Sequence, residues 1–114
     1  MSDKIRVLIV DDVATTRENI VKLIQFQPEI EAVGQASNGE EALFQAKALR
    51  PDVVLMDINM PGMDGITAAE RLTVEVPETT IIIMSVQGEQ EYLRRAMMAG
   101  AKNYLTKPFT GDEL

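Results

Sequence analysis

Three acidic positions and one lysine stand at the C-terminal ends of predicted strands: Asp11-Asp12, Asp57, and Lys107 just before Pro108. In an open parallel α/β sheet these ends converge on one crevice, where such folds place their chemistry. Carboxylates from two different strands would share that pocket. At a spacing of ~5 Å and an effective dielectric of ~20, each pair repels by roughly 3 kcal/mol. The pattern asks for a divalent cation, and for a group at Asp57 that uses it.

The elements that must position these residues are legible from apolar spacing. Segments rich in Val, Ile and Leu at Ile5–Val10, Glu31–Ala36, Val53–Met56, Thr80–Met84 and Asn103–Leu105 read as strands. The first, third and fourth are almost continuously apolar, as strands covered on both faces must be. Glu31 in the second, and Lys102 and Asn103 at the fifth, give the polar punctuation that protects edge strands. Between the strands the period becomes helical. The apolar stripes are Ile20, Leu23, Ile24; Ala42, Ala46, Leu49; Ile66, Ala69, Leu72, Val76; and Leu93, Ala96, Met97, Gly100. Asn38 with Glu41 three residues on has the form of a capping box for the second helix. Alternating strands and helices imply right-handed crossovers and a parallel sheet.

The chain has 114 residues, which suits one domain with a real core. Eleven basic residues against eighteen acidic give a net charge of −7. No basic stripe of the kind nucleic-acid binders carry is present, so direct nucleic-acid binding is not expected. With no cysteine there is neither a disulfide framework nor a cysteine metal site. Met1-Ser2-Asp3-Lys4 has no signal-peptide profile. Runs such as Val53–Met56 and Ile81–Met84 are too short to span a bilayer, and a cytoplasmic protein that does not engage membranes is expected. Thr110 and Glu113 look like a further capping box, yet a helix averages ~11–12 residues and only Gly111–Leu114 follow. A truncated fifth helix, and a parent protein extending beyond this segment, are therefore expected.

Val7-Leu8-Ile9-Val10-Asp11-Asp12, Asp57 through Gly65, Ser85, and Lys107-Pro108-Phe109 together resemble the receiver domain of two-component response regulators, including the chemotaxis regulator. The resemblance covers nearly the whole chain. It implies a doubly wound, flavodoxin-like α/β fold with strand order 2-1-3-4-5 and a switch point between the first and third strands. It further implies Asp57 as phosphoacceptor, a carboxylate nucleophile that forms an acyl phosphate. Mg²⁺ would be bound by Asp12, Asp57 and the backbone carbonyl of Asn59, with Asp11 acting through water; all-oxygen ligation with retained waters suits this ion. Lys107 would pair as a point charge with Asp57 and then with the phosphoryl oxygens. Ser85 would donate its hydroxyl to the phosphoryl group and Tyr104 would follow it inward as the switch aromatic. The resemblance also implies a cis bond before Pro108, which an X–Pro pair permits at ≈ 0.5–1 kcal/mol.

Val86 stands where such domains most often have alanine, and its β-branch would crowd the phosphoryl site. Asn59 and Gln87 occupy positions at which these domains vary the lifetime of the acyl phosphate. The implied partners are a sensor histidine kinase or phosphotransfer protein on the input side. On the output side stands an effector domain or target, engaged through the fourth helix, fifth strand and fifth helix; a homodimer is a further option. The domain would catalyse only its own phosphorylation and dephosphorylation.

Each residue also has a plain structural reading. Asp11-Asp12 could cap the first helix, Asp57 could begin a turn, and Lys107 could be a solvated loop lysine. Ser85 could end a strand and Tyr104 could be a half-buried edge aromatic. Met60-Pro61-Gly62-Met63-Asp64-Gly65 is first a turn, with Asp64 able to cap the third helix. Arg94 and Arg95 read as a solvated face beside Glu91, and Met98 as an outward residue open to a partner. Two other functional classes compete with the signalling switch. A phosphohydrolase passing through an aspartyl phosphate would be expected to carry its nucleophile on the first strand and a second acid. A nucleotide or flavin module needs a glycine- or hydroxyl-rich loop where Asp11-Asp12 stands. A receiver-like interaction module that works without phosphorylation is the remaining alternative.

Overall fold

The computed structural model describes residues 4–57, 65–86, 94–95 and 97–107. In chain order the elements are β1 (Ile5–Val10), α1 (Ala14–Gln25), β2 (Ile30–Ala36), α2 (Gly39–Leu49), β3 (Val53–Asp57), α3 (Gly65–Glu75), β4 (Thr80–Val86) and β5 (Asn103–Lys107). Residues 94–95 and 97–98 are also helical. The strands form one five-stranded sheet in the order β2-β1-β3-β4-β5, with every pairing parallel. The expected architecture and strand order are therefore present, and the two strands with polar punctuation lie at the edges.

Strand pleating divides the apolar residues between two layers, because successive side chains point to opposite faces. Leu8, Val10, Val54, Met56, Ile81 and Ile83 pack with Ala42, Leu43 and Ala46 of α2 and with Ile66, Ala68, Ala69 and Leu72 of α3. Val7, Ile9, Leu55 and Met84 face the other way, onto Ile20 and Ile24 of α1. A continuously apolar strand is thus the signature of a sheet covered on both sides. The expected third-helix stripe is buried in full, including Val76 just beyond the helix end.

Local chemistry fixes the ends of α2. Asn38 caps it, its side chain accepting from Glu41 N–H at 2.8 Å. Glu41 reaches back to the backbone N–H (2.6 Å) and hydroxyl (2.8 Å) of Ser37, one residue earlier than a capping box predicts. These bonds, the backbone N–H first, hold the Glu41 carboxyl below its ordinary range. At the other end Arg50 adopts a left-handed conformation (φ 49°). Arg6 donates to the carbonyls of Leu49 and Arg50 there, placing a cation where the helix dipole favours one.

Several boundaries differ from the sequence expectation. β4 runs to Val86 and β5 to Lys107, because their ladder continues through the pairs Ser85↔Thr106 and Val86↔Lys107. β3 includes Asp57, paired with Met84. The β1–β2 register shifts between Val7 and Leu8 of β1, leaving Val33 of β2 as an extra residue, and a bulge of this kind bends an exposed edge. The apolar stripe of the fourth helix does not hold as expected. Met97 is 38% exposed, and Gly100 is not a packing position on a helix but part of the turn that follows it, at φ +123°. Leu93 and Ala96 lie outside the described residues. Among the described residues no helix is long and apolar enough to cross a membrane.

Gly100 is required twice over. Its φ lies where L side chains are strained, and a Cβ there would stand 2.1 Å from Thr73 Oγ1. That hydroxyl is itself engaged, donating to the carbonyls of Ala69 (2.8 Å) and Ala99 (3.2 Å). Gly100→Ala is expected to lose about 2–3 kcal/mol in urea unfolding. Adding Thr73→Ala should recover the steric part only; full recovery would show that φ strain contributes nothing.

Candidate phosphoacceptor site

The site is built by register. Val10 of β1 pairs with Met56 of β3, so the next residues along, Asp11 and Asp57, stand at the same level at the ends of neighbouring strands. β1 and β3 flank the point where the order of connection reverses, and the crevice opens there. One carboxylate oxygen from each of Asp11, Asp12 and Asp57 lies within 4.8 Å of the others. Asp11 (0% exposed) and Asp57 (8%) are buried, whereas Asp12 is exposed.

Asp11 is held tightly. Its N–H donates to the Ala36 carbonyl of β2 at 3.1 Å, continuing the β1–β2 ladder past the strand end. Its Oδ1 accepts from Val13 N–H at 2.9 Å, which folds the loop entering α1. Its carbonyl accepts from Arg17 Nη1 at 2.6 Å. The acidic pair therefore does not cap α1: the N-cap residue is Val13, with no side-chain cap bond. The plain structural reading of Asp11-Asp12 is displaced by one in which the loop serves the carboxylates.

Two buried carboxylates at this spacing repel by about 3–4 kcal/mol at an effective dielectric of ~20. Three hard oxygen donors converging from two strand ends are the donor set that Mg²⁺ or Ca²⁺ accepts. The residues fit a small divalent cation.

The sheet also brings the remaining expected positions toward this rim. Ser85 and Val86 follow Met84, the partner of Asp57, and Lys107 is level with Val86 on β5. These are backbone placements of the strand ends. Asn59, Gln87, Pro108 and the turn from Met60 to Asp64 lie outside the described residues. Tyr104 pairs with Ile83 on the edge strand. Arg94 and Arg95 are exposed as expected, and Met98 is 83% exposed on the outward side of its helix.

The sequence model of the response regulator receiver domain matches residues 7–114. The chain belongs to that family. The receiver domain is 40% identical over 108 residues to a protein-glutamate methylesterase/protein-glutamine glutaminase of Geobacter sulfurreducens, covering 95% of this chain and 29% of that protein. Among solved structures it is similar to the signal receiver domain of NarL from Mycobacterium tuberculosis. That match has TM-score 0.90 and 35% identity, over 97% of this chain and 90% of that one. It is also similar to a chain of the CheX–CheY–BeF3–Mg²⁺ complex from Borrelia burgdorferi, with TM-score 0.86 and 29% identity over 95% and 81% of the two chains. The receiver domain spans between 29% and 50% of the length of the first curated relatives it matches.

One contact escaped the sequence reading, the bond from Arg17 to the Asp11 carbonyl. Helical side chains lean toward their own N-terminus, so an arginine in the first turn of α1 can reach back over that turn. The direct consequence for the loop can be measured through Asp11. Asp11→Asn keeps the acceptor for Val13 N–H and removes a charge. Without divalent cation it should match or exceed the wild type in urea unfolding. Asp11→Ala should fall about 1 kcal/mol below Asp11→Asn, because the Val13 donor loses its partner; equal stabilities would show that the bond to Val13 is immaterial.

Proposed function

We propose that Asp57 is the phosphoacceptor of this receiver domain. The observation that supports it is the shared pocket: a buried carboxylate at the end of β3, level with a second buried carboxylate and close to a third. In the reaction an Asp57 carboxylate oxygen forms a bond to phosphorus while the bond from phosphorus to the donor breaks. For a phosphohistidine donor the imidazole leaves and takes up a proton; for a small acyl phosphate the carboxylate leaves. Receiver domains as a family receive the phosphoryl group from histidine kinases and act on effector domains.

Mg²⁺ would be held by Asp12 and Asp57, with Asp11 through water and the Asn59 carbonyl completing the oxygen set, and when bound it neutralises charge on the transferring group. The chain's own residues do the rest. Asp11, fixed at its N–H, Oδ1 and carbonyl, sets the loop that presents Asp12. Lys107, at the end of β5, supplies a point charge for the phosphoryl oxygens. Ser85, at the end of β4, supplies a hydroxyl hydrogen bond that exists only after modification. That bond is the differential contact by which phosphorylation shifts a two-state equilibrium, with Tyr104 on the neighbouring strand as the follower. Val86, next to Ser85 on β4, would slow both entry and loss of phosphate through its β-branch, while Asn59 and Gln87 would tune the lifetime. The output passes to an effector or target through the fourth-helix and fifth-strand face.

Intact-mass spectrometry after treatment with acetyl phosphate tests the assignment. One added phosphoryl group is expected with Mg²⁺, none with chelator, and none in Asp57→Asn under either condition. Undiminished modification of Asp57→Asn would move the acceptor elsewhere.

A further inference from the structure

Arg17 bonds directly to the backbone of the acidic loop. Its Nη1 donates to the Asp11 carbonyl at 2.6 Å, and its Nε donates to Gln35 Oε1 on β2 at 3.2 Å. The position is unfavourable on general grounds. The first turn of α1 holds no acidic residue, Val13 makes no side-chain cap, and the positive end of a helix dipole disfavours a cation. Against that, the guanidinium there has the backbone of the acidic loop to hold and the Glu41 carboxylate nearby, whose charge it helps to favour. The Asp11 carbonyl belongs to the peptide that joins Asp11 to Asp12, so a bond to it fixes the plane about which both carboxylates are hung. The second bond ties that plane to the edge strand, through a planar fork that allows little play.

Resting on the cation-site reading above, we propose that Arg17, braced by Gln35, is a positioning residue for divalent-cation binding by the Asp11-Asp12 pair. The geometry and the charge of Arg17 make opposite demands. As a nearby positive charge it opposes a divalent cation, so its removal would tighten binding if charge alone mattered. As a brace it orients the ligands, and its removal weakens binding. The sign of the effect therefore separates the two.

The experiment is calorimetric titration of the 114-residue chain with Mg²⁺ alone, accompanied by urea unfolding in chelator. Arg17→Met keeps much of the apolar stem and removes both bonds; outer-shell partners of metal ligands typically contribute 10–100-fold in affinity, so a loss of ~10-fold is expected. Arg17→Lys keeps the charge but cannot reproduce the fork, and Gln35→Ala keeps the charge and the carbonyl bond. Both should weaken binding by less, in the same direction. These two decide the matter if Arg17→Met does not fold. Affinity that is unchanged or tighter in the folded variants, with any effect confined to urea stability, overturns the positioning role. A wild-type chain that takes up no Mg²⁺ overturns the cation site itself, and the role of Arg17 with it.

Discussion

The structure is organised around two buried carboxylates held close together on neighbouring strands. Parallel pairing of β1 with β3 sets Asp11 and Asp57 level, and burial removes the water that would screen them. Register is not adjustable here. A one-residue slip would turn the apolar residues of β1 and β3 to the wrong layer and break both core clusters. The hydrophobic sheet thus holds the carboxylates in place, and the stability of the sheet sustains the strain at its rim.

This division of labour explains where precision is concentrated. The far ends of the strands are closed by bonds that serve stability alone, such as Thr79 Oγ1 to the Pro51 carbonyl at 2.8 Å and Arg6 on the end of α2. On the surface, Lys47 and Arg71 both pair with Glu75, joining α2 to α3, and hold its carboxyl below the ordinary range. These are exposed pairs of the kind worth little individually. At the rim that carries the carboxylates, by contrast, a single residue, Asp11, is held through three of its groups by β2, the loop and α1.

Much of this could be read from the chain. Strands buried on both faces appear as unbroken apolar runs, and acids at their ends stand out because burial penalises charge there. The core positions of α2 and α3 followed from helical period for the same reason. What escaped depended on partners remote in sequence or on backbone conformation. Gly100 fits an apolar stripe by spacing, yet its place is set by φ and by Thr73, 27 positions earlier. The ends of β4 and β5 depend on each other's ladder, which no single segment contains. Nothing in the segment around Arg17 points to Gln35 or to a carbonyl behind it. The Ser37–Glu41 bonds were local, but the capping-box rule placed them one residue late.

The buried carboxylates repel each other, and a divalent cation between them would offset that repulsion. Urea unfolding of wild type and Asp57→Asn, from chelator to saturating Mg²⁺, tests it most directly. In chelator the Asn variant should be the more stable by about 1 kcal/mol or more, since the repulsion is relieved. Mg²⁺ at 100 times its dissociation constant should add ≈ 2.7 kcal/mol to the wild type and much less to the variant, so the two curves cross. Curves that keep the same order at every Mg²⁺ concentration would contradict the account.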